Sequence, residues 1–383
     1  MKSKRMMFLK PIILTTAILT FAIPANAVNP RIIVAKGKVL LKRNGWSSYR
    51  QINAGARLYS KDLILAKQGT KVVVLCPNQV TWEVPSGRIW GALNGCPKKR
   101  SRARGDRLTP SILGGTNPNI PYIISPRRSL LLDSKPTLRW NGVPGATSYT
   151  VSLTGATGFT WEQQVSDTQI SYSGEPSLEP GIFYSLVIKA DTGESSQDEK
   201  ASGLGFMLLN VTDIEKVKTD IKQITKRELA DNDEAQALAL ASIYNDYVLT
   251  SESAKAYNLN AEDIETYSLS VKAIEVLEDL IQKNNKTPSV HRLLGDLYWH
   301  SGLQLLAEAQ YIKVVELADT TKDLEELAQA RFKLAEIYTV IGDLDKAYQW
   351  LRKARLSYAF LGDKDTVDLI EEQLDELNQK IRY

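Results

Sequence analysis

The sequence predicts a multidomain protein of mixed α and β class, in which two small all-β domains precede an α-helical solenoid. Short β-branched and apolar runs, separated by Gly, Pro and Asn, fill the first half of the chain. The second half is poor in Gly and Pro and rich in Ala, Leu, Glu and Lys, which favours helix. Its segments also resemble one another when they are offset by 40 residues.

Residues 1–27 have the pattern of a cleaved signal peptide. A positively charged head precedes an apolar run over 11–23, and Ala25-Asn26-Ala27 offers the small residues that a signal peptidase requires. The alternative is a membrane anchor, but the run is shorter than the roughly 20 residues that span a bilayer. We therefore expect a periplasmic or secreted mature chain without a membrane span.

The two halves of the chain carry opposite charge. Residues 28–128 contain 19 basic and 3 acidic side chains, whereas residues 211–383 contain 21 basic and 32 acidic side chains. This asymmetry predicts either an anionic partner for the basic part or docking of the chain on itself.

The sequence contains two cysteines, Cys76 and Cys96, which favour a structural disulfide in an exported protein. A metal pair would need further Cys or His ligands, and the chain has only His291 and His300, far downstream. A redox-active dithiol usually has its thiols closer together, as in C-x-x-C.

Residues 28–97 predict the first β-domain. Gly37-x-Val39-x-Leu41-x-Arg43, then Gly55-x-x-Leu58 and Asp62-x-Ile64, precede the apolar strand 72–75. This order of motifs resembles the FecR-like domain of bacterial envelope proteins. The resemblance implies a non-catalytic domain of the cell envelope.

Residues 98–121 predict a linker that is first basic and then rich in Pro and Gly. The basic run is either solubilising charge or a contact for an anionic polymer or membrane surface. It lacks the interleaved aromatic residues that would stack bases, so we expect no nucleic-acid partner. The candidate anion-binding residues are Lys98, Lys99, Arg100, Arg102 and Arg104.

Residues 122–209 predict the second β-domain, with alternating strands near Trp140 and Tyr149. Leu178, the Pro180-Gly181 turn and Tyr184 resemble the tyrosine corner of a Greek-key sandwich, in which the phenol bonds to upstream backbone. The stretch resembles a fibronectin type III or other immunoglobulin-like domain. Such modules mostly space and present other domains.

Residues 210–383 predict a helical repeat domain. Leu294-Gly295-x-x-Tyr298, with Gly302, Ala307 and Tyr311, aligns with Leu334-Ala335-x-x-Tyr338, with Gly342, Ala347 and Leu351. This pattern resembles the tetratricopeptide repeat (TPR): a small residue and Tyr on helix A, Gly at the turn, and Ala on helix B. Apolar positions over 367–381 predict an amphipathic cap helix.

Stacked helical hairpins of this kind present a concave surface to a peptide or protein segment. Each polar candidate on that surface is alternatively an ordinary solvated side chain. The candidate protein-binding residues on the helix A faces are Arg292, Asp296, Trp299, Arg331, Lys333 and Glu336.

The sequence lacks the common motifs for nucleophilic serine, zinc and phosphate chemistry, so we expect neither an enzyme nor a cofactor or metal site. Two functions compete. One is a non-enzymatic envelope scaffold that binds a protein partner through its repeats. The other is an envelope-binding module whose basic β-domain holds an anionic glycan, peptidoglycan or lipid surface.

Overall fold

The computed structural model describes residues 30–76, 81–96, 114–156, 158–199, 205–225, 233–245, 247, 249, 255–257, 267–284, 286–321 and 323–382. The expected signal peptide, 1–27, and the candidate anion-binding run, 98–104, lie outside the described residues.

The N-terminal β-unit, residues 30–96, consists of two small antiparallel sheets that pack face to face. One sheet has the strand order β1-β5-β6 and the other β3-β2-β4-β7. Buried side chains alternate along β2 and β4, as expected for strands that cover a core on one face. The strands are β1 Arg31–Lys36, β2 Val39–Lys42, β3 Arg50–Gln51, β4 Leu63–Ala66, β5 Lys71–Leu75, β6 Thr81–Glu83 and β7 Ile89–Gly91.

The predicted disulfide between Cys76 and Cys96 is present, with the two Cα atoms 5.5 Å apart. It joins the end of β5 to the segment after β7, so it ties the two sheets of the unit together. Closing a 20-residue separation stabilises a fold by roughly 3 kcal/mol in the chain-entropy model.

The second β-unit, residues 122–209, is also built from two sheets, β13-β10-β8 and β12-β11-β14-β15-β9. Its core includes Trp140 and Tyr149, whose rings meet edge to face. The hydroxyl of Tyr184 accepts a hydrogen bond of 2.7 Å from the backbone N–H of Glu179, as the tyrosine-corner interpretation predicts. The strands are β8 Ile123–Ser125, β9 Ser129–Leu131, β10 Thr137–Trp140, β11 Tyr149–Gly155, β12 Thr160–Val165, β13 Gln169–Ser171, β14 Phe183–Ala190 and β15 Phe206–Leu208.

The helical unit, residues 211–382, follows. From α2 onward each helix packs against the next one in the chain, and the alternate helices α2, α4 and α6 also contact one another. This is a stack of helical hairpins, so the helical part of the predicted fold is confirmed at that level. The described helices are α1 Val211–Thr225, α2 Asp233–Asn245, α3 Ser270–Gln282, α4 Pro288–His300, α5 Gln304–Thr321, α6 Leu324–Ile341, α7 Leu344–Leu361 and α8 Lys364–Arg382.

Short local signals end and restart the helices. Gly342 and Gly362 terminate α6 and α7 with φ of 91° and 76°, a left-handed conformation that glycine adopts without a steric penalty. The aspartates that follow, Asp343 and Asp363, accept hydrogen bonds from backbone N–H groups of the next helices. Because only two residues separate these helices, successive helices are antiparallel.

The small residues of the repeat pattern permit close helix packing. A Cβ atom at Gly295 on α4 would lie 2.9 Å from Cε1 of Tyr311 on α5, closer than carbon atoms approach without a shift. Ala307, Ala335 and Ala347 are fully or almost fully buried. The spacing read from the sequence therefore corresponds to real contacts between paired helices.

A buried ion pair links the second β-unit to the helical unit. Arg127 forms two hydrogen bonds of 3.0 Å with the carboxylate of Glu199, and its Nε donates to the carbonyl of Ser301 at the α4–α5 turn. Both side chains are almost fully buried.

The described helices include none that is long and apolar enough to cross a membrane.

Candidate functional site

The N-terminal β-unit packs against the alternate helices α2, α4 and α6, which we call the A helices after the repeat pattern of the sequence. We call this contact, together with the adjoining part of α7, the docking interface. It joins a basic part of the chain to an acidic part through two ion pairs, so docking of the chain on itself accounts for part of the charge asymmetry.

One end of the docking interface is apolar. Ile33 and Val34 of β1, with two residues of β5, form a buried cluster with one face of α2. Ala235, Ala239 and Ile243 supply the helical side, and the spacing of four residues places them in one row. Because both alanines are fully buried, the strands lie close to the helix backbone.

Gly55 lies in close contact with the helical unit. Its φ of 90° lies in the left-handed region, and a Cβ atom there would meet the Cβ of Ser289 at 2.9 Å and Leu238 at 3.0 Å. The helical partners lie at the start of α4 and on α2. A side chain at position 55 would therefore push the β-unit away from the A helices.

The other end of the docking interface is formed by Trp46. Its ring is buried against Ala328 of α6 and Leu361 of α7. Nearby, Arg50 donates a hydrogen bond of 2.8 Å to the carbonyl of Phe360 at the end of α7. The loop between β2 and β3 is thus held by both helices.

Between these apolar ends lies an ion cluster. Arg57 of the β-unit pairs with Asp296 on α4, and that carboxylate also accepts hydrogen bonds from Arg292 at 2.7 Å and from the hydroxyl of Tyr311 at 2.8 Å. Burial alone would raise the pKa of Asp296, but the charges of Arg57 and Arg292 overcome it and hold this pKa well below its ordinary value.

A second part of the cluster surrounds Arg43. Its guanidinium donates to Asp62 at 2.6 Å within the β-unit and also pairs with Glu325 on α6. On α4, Arg292 pairs with Glu326, which connects α4 to α6. Every carboxylate of the cluster therefore has an arginine partner, as buried charges require. The ion cluster consists of Arg43, Arg57, Asp62, Arg292, Asp296, Glu325 and Glu326.

The structure places the six candidate protein-binding residues in different settings. Arg292 and Asp296 are buried in the ion cluster, and Trp299 is 1% exposed in the helical core. Arg331 is half-buried and donates to the hydroxyl of Ser357 on α7 at 2.7 Å. Lys333 and Glu336 pair with each other at 2.6 Å, also half-buried. None of the first three presents its side chain to solvent.

Sequence reasoning missed the residues of the β-unit that complete the cluster, Arg43 and Arg57, as well as Glu325 and Glu326 on α6. The available signal was the charge asymmetry, which indicated either an anionic partner or docking of the chain on itself, but not the positions involved. The helix A face was identified by its repeat spacing, but its occupant was not.

The docking interface holds the N-terminal β-unit against the helices through ion pairs and apolar contacts. The described residues contain no group of three or more His, Cys, Asp or Glu side chains arranged to hold a metal ion. The carboxylates of the ion cluster are engaged by arginines. What the geometry supports is a fixed attachment of one part of the chain to another.

No family model and no curated protein matches the sequence. Two solved structures of MamA resemble part of it. One is 18% identical with a TM-score of 0.24, over 46% of this chain and 99% of the other. The second is 17% identical with a TM-score of 0.25, over 44% of this chain and 86% of the other. Similarities this low carry no argument about function.

Proposed function

We propose that this chain is a non-enzymatic scaffold whose helical unit holds the basic N-terminal β-unit as an internal ligand. The observation that carries the proposal is the ion cluster, in which arginines of the β-unit pair with the buried Asp296 of α4 and the partly buried Glu325 of α6. In each pair one side chain is buried and the other partly buried, and a buried charge is costly without a partner, so the two units are matched to each other.

The domain identities are part of the same proposal. We assign residues 28–97 to a FecR-like domain, 122–209 to a fibronectin III or immunoglobulin-like sandwich, and 210–383 to a TPR domain with a C-terminal cap helix. The hydrogen bond from Glu179 to Tyr184 and the packing of Gly295 on Tyr311 support the second and third assignments.

The proposed location is outside the cytoplasm. The disulfide and the lack of a membrane-spanning helix among the described residues fit a periplasmic or extracellular protein. A static disulfide is expected to persist in an oxidising compartment and to be reduced in the cytosol.

We propose that an external protein partner binds on α7, since the A helices are covered by the β-unit. Leu356 and Phe360 are 62% and 75% exposed, and their spacing of four residues places them on one face of the helix. Arg331 contacts the same helix through its bond to the buried Ser357. Exposed apolar side chains next to one another are typical of interaction sites.

Site-specific photo-crosslinking in intact cells tests this location. A photoreactive residue at Phe360 should give discrete adducts with a partner, and Leu356→Ser should reduce them. The same probe at Lys189, exposed on β14 of the second β-unit, is the matched control. Identical adducts from both positions, or none from Phe360, would contradict a partner site on α7.

A further inference from the structure

The outer face of the sheet β3-β2-β4-β7 is apolar at its centre. Leu40, Leu65 and Ile89 are direct cross-strand partners in one row, and Leu63 lies on the same face of β4. Ile64, on the opposite face of β4, is fully buried in the core of the β-unit. In contrast, Leu63 is 37% exposed and Ile89 is 51% exposed. The sheet thus has apolar side chains on both of its faces.

Lysines surround this apolar row. Lys38 precedes Val39 and Lys67 follows Ala66, and since Val39 and Ala66 are cross-strand partners, both lysines lie at the same end of the strand pair. Lys42 lies directly opposite Leu63 at the other end. We call this surface the sheet face; it consists of Lys38, Leu40, Lys42, Leu63, Leu65, Lys67 and Ile89.

The positive charge of the sheet face is separate from the charge used in docking. Strands β2, β3, β4 and β7 contain no acidic residue. The acids in residues 30–96 are Asp62, which pairs with Arg43 in the ion cluster, and Glu83, on β6 of the other sheet. Docking to the acidic helices therefore pairs Arg43 and Arg57 with carboxylates but leaves Lys38 and Lys67 exposed.

We propose that the sheet face binds the surface of a membrane that contains anionic phospholipids. Cationic side chains around exposed aliphatic ones fit such a surface, because lysine ammonium groups reach the phosphates while the aliphatic side chains enter the acyl boundary. An anionic polysaccharide has no apolar region that Leu63 or Ile89 could enter. Sugars are usually held by stacking on aromatic rings. This inference is independent of the proposed scaffold function.

The test is co-sedimentation of the full chain with vesicles of phosphatidylcholine, either pure or with 30% phosphatidylglycerol. We expect binding to the anionic vesicles that weakens as salt is added. The pure phosphatidylcholine vesicles measure any binding by the apolar stretch 11–23, because an uncharged bilayer still accepts it.

Two variants locate the site. A lysine near an anionic surface contributes ~1 kcal/mol, equivalent to about fivefold in partitioning, so Lys38→Glu/Lys67→Glu should weaken binding by about 25-fold or more. Ile89→Ser should weaken it roughly tenfold, since about half of the Ile89 side chain is exposed and available to enter the acyl boundary. The control Lys135→Glu/Lys189→Glu changes net charge equally at exposed sites of the second β-unit and should stay within about twofold of wild type.

The proposal is overturned by three results. The first is equal binding to neutral and anionic vesicles, and the second is no binding to either. The third is an effect of Lys135→Glu/Lys189→Glu as large as that of Lys38→Glu/Lys67→Glu, because the contact would then depend on net charge alone. Unchanged thermal unfolding of all variants shows that the comparison is made between folded proteins.

Discussion

A substitution of Arg57 best distinguishes a β-unit that is held by the ion cluster from one that merely touches the helices. Its side chain is 19% exposed and pairs with Asp296, whose side chain is 6% exposed. Arg57→Ala leaves that carboxylate buried, because Arg292 and Tyr311 still hold it in place. The substitution therefore removes one charge of a buried pair and retains the other.

The expected cost follows from this geometry. Breaking a buried ion pair by removing one partner costs ~3–5 kcal/mol, since a charge remains without compensation. Arg292 and Tyr311 still donate hydrogen bonds to Asp296, so we expect a loss of about 2–3 kcal/mol, just below that range. Arg355→Ala is the matched control. Arg355 pairs with Glu371 at 2.6 Å, but both side chains are 41–51% exposed, and its loss should cost less than ~0.5 kcal/mol.

Urea unfolding followed by tryptophan fluorescence measures the effect, since Trp46 is buried in the docking interface. A multidomain chain need not unfold in one step, so the first transition is the relevant one. A double-mutant cycle of Arg57→Ala with Asp296→Asn should give a coupling of about 1.5 kcal/mol or more. Equal stability of Arg57→Ala and Arg355→Ala, or no measurable coupling, would refute the docking account.

Three further predictions concern the units themselves. Gly295→Ala should destabilise the helical unit by ~1–3 kcal/mol in thermal unfolding, because overpacking against Tyr311 outweighs the helix propensity of alanine, and a rise in stability would contradict this. Tyr184→Phe should cost ~1 kcal/mol in the second β-unit, since the N–H of Glu179 loses its acceptor; an unchanged urea midpoint would argue against the tyrosine corner. Asp323 directly precedes α6. Burial and the nearby Glu326 raise its pKa to about 7, so between about pH 4 and 7 the folded state retains a proton that the unfolded state has released. The free energy of unfolding therefore falls as pH rises from about 4 to 7, and Asp323→Asn should flatten that slope between pH 4.5 and 8; an identical slope would refute the assignment.

The sequence predicted the elements better than their assembly. Repeat spacing located Gly295 and Tyr311 because helix packing depends on local periodicity, and Tyr184 was found because its turn lies within six residues. Docking depends on pairs such as Arg43 with Glu325, which are 282 residues apart. No periodic pattern encodes such a pair, so the only signal was the net charge of each region, which also allowed an anionic partner.

The same limit explains the candidate binding residues. The six residues lie on α4 and α6, but their exposure depends on what covers these helices. Arg292 and Asp296 lie beneath the N-terminal β-unit, whereas Arg331 lies toward α7. The repeat spacing indicates one face of the helices, but it does not indicate whether another part of the chain covers that face.

The central claim is that the N-terminal β-unit is held on the helices by non-covalent contacts, and cutting the chain between residues 96 and 114 tests it directly. A protease site placed there, cleaved after the whole protein has folded, leaves the disulfide inside the N-terminal fragment. The account predicts that both fragments elute together in gel filtration at physiological salt and separate in Arg57→Glu. Fragments that separate in the wild-type protein would contradict it.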